Sequence, residues 1–468
     1  MAGGDVQRWS LGRLRAGSIN TMISVEEFAG KRAHVLRSLP GVGVDEPLAL
    51  AKSSSNLFRH RAQKRVHQLD LRDFNHVLRI DEQERYAEVE GLTTYEELVR
   101  ETLAFNLMPA VVPQLKSITI GGAIAGIGIE SSSFKYGFVH ETMQELEVLL
   151  PDGKVVVATR ENEHLDLFFG FPNSYGTLGY ALRVKIALVP VKPFVKLTHH
   201  RYTDLESYFQ AMTQLCREGA VDFVDGTMFH GEELYITTGQ FVDHAEWLSD
   251  YTYLQIYYQS IPHRTTDYLT THDYIWRWDT DWFWCSKHFL LQYQLMRRLW
   301  GKKRLRSSVY WKLWERFHAS PISNLLLRAI EGRQESVIQD VEVPIEHAPR
   351  FAQFFNEQIG IKPVWICPVA AFDPSAAYAL YPMNPQKLYV NFGFWDAVKT
   401  THDDGYFNKM IEAKVSEFGG HKSLYSSSYY SKEEFGRLYS ASEYGRLKTR
   451  YDPMGKLKHL YDKCVLKQ

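Results

Sequence analysis

The chain has 468 residues, 45% hydrophobic and 23% charged, which excludes a small disulfide scaffold and allows two or three domains. Its 54 Lys+Arg balance 55 Asp+Glu to a formal net charge of -1, so global attraction to nucleic acid is excluded. Aromatic residues reach 14%, a loading that suits large apolar or ring-shaped ligands, or a greasy surface.

Arg8, Arg13 and Arg15 precede no apolar stretch of the secretory kind, and no later apolar run is long enough to span a membrane. Cys216, Cys285, Cys367 and Cys464 lie far apart, in neither C-x-x-C pairs nor a metal-ligand spacing. The expectation is a reduced, cytoplasmic chain without a metal site, free to lie as a peripheral protein on the inner face of a membrane.

From Leu48 to about Val195 short strands and tight turns dominate. HVLRID and RYAEVEG flank Glu82–Glu84 as a hairpin. In TTYEELVRETLAF, Thr93 and Glu96 have capping-box spacing, while Tyr95, Leu98, Val99 and Leu103 share a face; this predicts a helix packed on a sheet. After Pro109 and Pro113, TIGGAIAGIGIESSSFKYG (119–137) is too rich in Gly and Ser for an ordinary strand or helix. ELEVLLPDGKVVVA predicts two strands about Pro151-Asp152-Gly153. Leu182, Val184, Ile186 and Leu188, alternating with Arg183 and Lys185, predict a half-buried strand. Beyond Pro190 and Pro193 the character changes, with the helix DLESYFQAMTQLC and the strands VIQDVEVPI, VWICPV and KLYVNFGFW. The expected division is 1–195, 196–415 and a C-terminal segment, 416–468.

Gly121, Gly122, Gly126 and Gly128 lack side chains, which would let a diphosphate approach the backbone and accept from successive amides. Thr119, Ser131 and Ser132 would add hydroxyl donors. The segment matches neither G-x-G-x-x-G nor a P-loop, and a buried glycine-rich turn is the alternative reading. Three pieces nevertheless occur in order: the polar loop Lys52–Phe58, the T-I-G-G segment, and the Ser174-Tyr-Gly-Thr-Leu-Gly179 turn. This layout resembles the flavin-binding domain of the vanillyl-alcohol-oxidase-type FAD proteins. The resemblance implies an α+β fold: a two-subdomain FAD-binding domain plus an α+β substrate, or cap, domain, with 416–468 returning to the flavin. It makes Ser53, Ser54, Ser55, Asn56, the Thr119-Ile120-Gly121-Gly122 backbone, Gly128, Ser132, Gly176, Thr177 and Gly179 FAD contacts. KSSSNLF lacks the histidine through which family oxidases attach FAD, so non-covalent FAD is implied; His60, just downstream, reads as a surface histidine.

GIGIESSSFKYG, the DLFF…GTLG turn, VKPFVKL, VWICP and the 424–435 stretch together resemble the delta-24 sterol reductases. YIWRWDTDWFWCS (274–286), VNFGFW (390–395) and EAKVSEFGGHKSLYSSSYY (412–430) are similar to bacterial FAD-dependent reductases that convert a 10-methylene fatty acyl chain to its 10-methyl form. Both groups saturate an isolated lipid double bond, which implies a lipid substrate and NADPH as electron donor. Protonating such an alkene leaves a tertiary cation for hydride to quench. That chemistry needs an acid, worth about 10²- to 10⁴-fold, and a dry aromatic pocket.

Trp276, Trp278, Trp282, Phe283 and Trp284 are the expected substrate walls. The candidate acids are His272, Asp273, Asp279 and Asp281 within the tryptophan-rich segment, and His421, Tyr425 and Tyr429 near the C-terminus. Tyr425 is the first choice, with His421 as its relay. Salt bridging of Asp279 and Asp281 to Arg277, and core packing of the tyrosines, are the bland alternatives. Within 274–317, the stretch 296–317 collects Arg297, Arg298, Lys302, Lys303, Arg304, Arg306, Lys312 and Arg316 among aromatic rings, with Glu315 the lone acid. It suits an anionic membrane surface or, equally, a solvated basic face over an aromatic core. Rival functions are a sterol side-chain reductase, an FAD-linked alcohol or sugar oxidase, and a non-catalytic docking partner of a lipid methyltransferase.

Overall fold

The computed structural model describes residues 22–38, 47–51, 58, 67–230, 232–309 and 333–466. The expected FAD contacts Ser53, Ser54, Ser55 and Asn56 lie outside the described residues, as do His60 and 310–317 of the basic stretch.

β1 (Leu48–Ala51) and β2 (His67–Asp70) pair in parallel. A six-stranded antiparallel sheet follows, built from β3 (Val77–Asp81), β4 (Tyr86–Glu90), β5 (Leu107–Pro109), β6 (Met143–Leu149), β7 (Val155–Ala158) and β8 (Tyr180–Pro190). Its order is β3-β4-β8-β6-β7, with β5 also on β8. In the central β8 the expected alternation holds: Leu182, Val184, Ile186 and Leu188 are buried, and half-buried Arg183 reaches Glu88, Glu145 and Glu147 on its neighbours. The helix predicted after β4 spans Tyr95–Leu103, but Thr94 caps it, accepting from the Glu97 amide at 3.3 Å. Thr93 instead donates to the His76 carbonyl, so the expected cap shifts by one residue.

β8 closes one sheet at Pro190, and β9 (Phe194–Tyr202) opens another. This eight-stranded antiparallel sheet adds β10 (Phe223–His230), β11 (Glu233–Val242), β12 (Thr266–Thr270), β13 (Gln334–Pro344), β14 (Val364–Val369), β15 (Tyr389–Lys399) and β16 (His421–Lys422). Its order is β12-β9-β11-β10-β14-β15-β13-β16.

Strand periodicity gives this sheet two different faces. Val337, Val341, Val343, Val364, Ile366, Phe392 and Phe394 point to one side and pack with Phe209, Met212, Phe351, Phe355, Ile411 and Val415 from the helices Leu205–Glu218, Ala348–Gln358 and Tyr406–Glu417. The alternate positions Ile338, Trp365, Cys367 and Trp395 join the core shared with the first sheet. Buried Glu342 and Asn391 and half-buried Asp340 fall in the same alternation, so carboxylates and an amide stand on the face turned to the first sheet.

The C-terminal helices buttress the 173–179 turn. Leu447 packs so closely on Gly170 that a Cβ there would lie 2.3 Å from its Cδ1. Lys448 and Lys463 donate to the carbonyls of Thr177 and Tyr175 at 2.8 and 2.5 Å. No helix among the described residues is long and apolar enough to cross a membrane.

Candidate active site

A largely apolar cavity of about 200 Å³ opens where the glycine-bearing segment meets the covered face of the eight-stranded sheet. With its open mouth it holds about 1210 Å³ of space not filled by atoms. Its walls bring together Phe58, Gln114, Thr119, Gly122, Gly126, Gly128, Tyr175, Trp282, Phe283, Asp340, Trp365, Trp395 and Tyr425.

The T-I-G-G segment departs from expectation. It folds as a short helix, Ile120–Ala125, capped by Thr119, and its amides are already engaged. Ile120 donates to the Thr93 carbonyl and Gly121 to that of Gly91, both at 2.9 Å. Gly122 donates to Thr119 Oγ1 at 3.3 Å. The expected row of free amides is therefore absent from these three positions. The buried Gly121 serves close packing, since a Cβ there would lie 2.6 Å from the Gly91 carbonyl oxygen. Gly122 is the position open to a ligand: it is exposed in the cavity wall, and its Cβ would meet Thr119 Oγ1 alone.

Other expected cofactor contacts are spent on the fold. Ser131 is buried against Glu130 and the Tyr274 hydroxyl, and Ser132 donates to the Ala110 carbonyl at 2.7 Å. Ile120 is fully buried in the core. Thr177 donates to the Ser174 carbonyl, while Gly176 and Gly179 supply the positive φ of that turn, 71° and 149°. None of these residues lines the cavity; the turn contributes Tyr175 instead.

The tryptophan-rich segment divides in the same way. Trp282 and Phe283 face the cavity, whereas Trp276, Trp278 and Trp284 are buried outside its lining. Trp278 stacks on Phe283 at 5.0 Å, and Phe283 lies 4.7 Å from Trp395. Trp282, Phe283 and Trp284 all have left-handed backbone, with φ of 52°, 50° and 55°. Three successive bulky residues in this region cost roughly 1–3 kcal/mol each, so the packing around them must over-determine the turn.

Of the expected acids, Tyr425 alone reaches the cavity wall. Its hydroxyl accepts from Trp395 Nε1 at 2.9 Å and shares a hydrogen bond with Asp340. Burial raises the Asp340 carboxyl to about 6, opposed by its hydrogen bonds to Asn391 and Tyr425. Burial, reinforced by the Asp340 charge, raises Tyr425 well above the usual phenol range.

His421 sits in β16 opposite Glu342, with its ring near Tyr381 and Tyr439, outside the cavity lining. Burial lowers it to about 4, which makes it a neutral packed imidazole rather than the expected relay. Tyr429 packs over Gly405 and Lys409, and His272 is exposed beside Asp273. Asp279 accepts from the Lys116 amide and from Ser307; Asp281 accepts from the Trp284 amide, Ser286 and Gln292. Both carboxylates hold loops together. Arg277 bridges Glu130 and Asp225 at 3.0 and 2.8 Å rather than either of them. Arg297, counted in the basic stretch, is buried and donates to the carbonyls of Tyr253, Thr280 and Leu291.

Sequence reasoning missed two residues. Asp340 lies in VIQDVEVPI, where alternation with valines reads as a solvated strand face. Gln114 is 3% exposed at the cavity wall, and neither polar atom of its carboxamide has a hydrogen-bond partner among the described residues. A buried unpaired amide is costly, and this one is enclosed beside the cavity wall, within a side-chain rotation of a ligand edge that both donates and accepts.

Comparison with known proteins bears on the cofactor. Residues 45–159 match the family model described as FAD binding domain. The chain is 27% identical to the Delta(24)-sterol reductase of Homo sapiens over 423 residues, covering 86% of this chain and 78% of that protein. It is 26% identical to the Delta(24)-sterol reductase of Pisum sativum over 444 residues, covering 85% and 76%. A shorter similarity, 29% over 142 residues, links it to cytokinin dehydrogenase 1 of Arabidopsis thaliana, covering 30% of this chain and 24% of that protein. Together these similarities support an FAD-dependent oxidoreductase with an α+β FAD-binding domain.

Proposed function

We propose that this oxidoreductase saturates an isolated carbon–carbon double bond in a lipid, with a 10-methylene fatty acyl chain as substrate and NADPH as electron donor. The observation that carries the reading is the Tyr425 hydroxyl at the wall of an apolar, tryptophan-lined cavity, hydrogen-bonded to Trp395 Nε1 and to the Asp340 carboxyl on the same wall.

The residues present fit FAD along the cleft. Gly122, exposed in the wall, would let a flat group approach the backbone, and Gln114 beside it would turn its orphaned amide to the group's polar edge. FAD held there and reduced would supply the hydride whose electron pair forms the second C–H bond.

The chain's own task is the proton. Transfer from Tyr425 Oη to the CH2 carbon of the methylene breaks the π bond, forms a C–H bond and leaves a tertiary cation. A phenol beside an ionised carboxylate is a poor acid, so the competent form carries the proton on Asp340, which passes it to the phenol oxygen as Tyr425 gives up its own. Trp395 Nε1 holds that oxygen in place. The faces of Trp282, Phe283 and Trp365 exclude water and stabilise the cation, by up to about 2 kcal/mol for a desolvated ring.

Similarity to sterol reductases favours a second reading, in which the double bond belongs to a sterol side chain. The test is anaerobic turnover with NADPH, read by mass spectrometry, on a methylene-branched phospholipid and on a 24-ene sterol. A gain of two hydrogens on the acyl chain supports the first reading, and on the sterol the second. Release of hydrogen peroxide with neither lipid changed overturns both in favour of an oxidase.

A further inference from the structure

Apolar exposure is concentrated just beyond the cavity wall. Leu290, Tyr293, Leu295 and Leu299 are 59%, 66%, 66% and 72% exposed, on and beside the helix Gln294–Trp300. The opposite side of this helix is fixed by the buried Arg297. Exposed Arg298, Lys302, Lys303 and Arg304 adjoin the apolar row, and no acidic residue occurs between Asp281 and Glu315. A contiguous aromatic path leads inward: Trp300 lies 6.3 Å from Phe289, and Phe289 lies 6.0 Å from the cavity-wall residue Trp282. Trp282 Nε1 in turn donates to the Leu305 carbonyl at 2.8 Å, so the outer and inner parts of the segment are tied together.

We infer that this lip is a docking surface for an anionic phospholipid bilayer, which delivers an acyl chain to the cavity beside Trp282. Charge complementarity selects the occupant: leucines and a tyrosine enter the headgroup boundary while the neighbouring cations meet lipid phosphates. The acyl cargo rests on the function proposed above; the docking does not.

The test is co-sedimentation of the full FAD-loaded chain with vesicles of phosphatidylglycerol or phosphatidylcholine, without NADPH. Binding to the anionic vesicles and salt-weakened partition are expected. The double variants Leu295→Ser/Leu299→Ser and Lys302→Glu/Lys303→Glu should each lower that partition about tenfold while keeping the parent flavin spectrum. Equal binding to neutral vesicles, or unchanged binding by both variants, overturns the inference. So does a dimer in sedimentation equilibrium that the leucine variant dissociates, since a second copy would then be the occupant. Intact docking here, with no lipid saturated in the separate anaerobic NADPH turnover, overturns the proposed reaction and leaves the docking surface standing.

Discussion

The indole nitrogen of Trp395 lies 2.9 Å from the hydroxyl oxygen of Tyr425, and because indole can only donate, that oxygen is the acceptor. The phenolic proton is thereby left for Asp340 or for a substrate in the cavity. Which of the two takes it depends on whether Asp340 carries a proton of its own.

Tyr425→Phe separates the two halves of the reaction. Flavin reduction by NADPH should continue at the parent rate, since the phenol has no part in it, whereas lipid saturation should fall about 10²- to 10⁴-fold. The variant also leaves the Trp395 indole and a buried carboxyl short of a partner, at a cost of about 1–3 kcal/mol. Anaerobic stopped-flow absorbance and thermal melts check both outcomes; lipid turnover at the parent rate would remove Tyr425 from its role.

Asp340 links stability to pH with a definite sign. Burial raises it to about 6 in the folded chain, against about 3.9 unfolded, so folding tightens its hold on the proton. Its stabilising contribution is fully present below about pH 4 and lost as pH rises through about 6, on the order of 3 kcal/mol in all. Asp340→Asn should therefore melt at a higher temperature than the parent at pH 8 and lose that advantage by pH 4. Parent lipid saturation should decline as pH rises through about 6, while the variant stays slow throughout. Glu342, which burial raises to about 8, is retained in both and supplies a common slope at higher pH.

The glycines of the T-I-G-G segment make opposite predictions. Gly121→Ala drives a methyl into the Gly91 carbonyl and should lower apoprotein stability by about 1–3 kcal/mol, as overpacking does. Gly122→Ala presses its methyl only on the Thr119 hydroxyl, which would sit 2.8 Å away at the cavity wall, so it should weaken FAD retention while costing the apoprotein no more than the loss of that cap, about 1 kcal/mol. Flavin content after gel filtration, alongside melts of the apoprotein, distinguishes them.

Much of the fold was legible because local chemistry fixed it. The alternation in β8, the Pro151-Asp152-Gly153 turn and the apolar face at Tyr95, Leu98 and Val99 each carry their own period. Of the expected catalytic and substrate residues, the fold brings Tyr425, Trp282 and Phe283 to the cavity wall and leaves the others outside it. Asp340 escaped because a strand alternating valine with acid looks solvated until a second sheet covers it. His421 misled because an imidazole near a tyrosine in sequence resembles a relay, whereas β pairing with Glu342 turns it into a different neighbourhood. Ser131 and Ser132 misled similarly: hydroxyls in a glycine-rich stretch serve ligand or backbone equally well, and tertiary contacts decide which.

Gln114 offers the sharpest separation of cofactor binding from folding. Its carboxamide is buried and unpaired, so Gln114→Leu removes no hydrogen bond formed by the described residues and relieves the desolvation of two polar atoms. The apoprotein should melt at the same temperature or higher. If the amide meets the polar edge of FAD, the loaded variant should bind flavin about tenfold more weakly, the loss of one satisfied buried pair, and its flavin absorption should shift. Gln114→Glu keeps the shape, exchanges donor for acceptor and should be more damaging than Leu, because it forces a charge or a displaced proton into an apolar wall. Titration of apoprotein with FAD, followed by fluorescence quenching, reads the affinity directly. Parent affinity in both variants would mean that the amide meets no flavin, and its unpaired atoms would then need another partner.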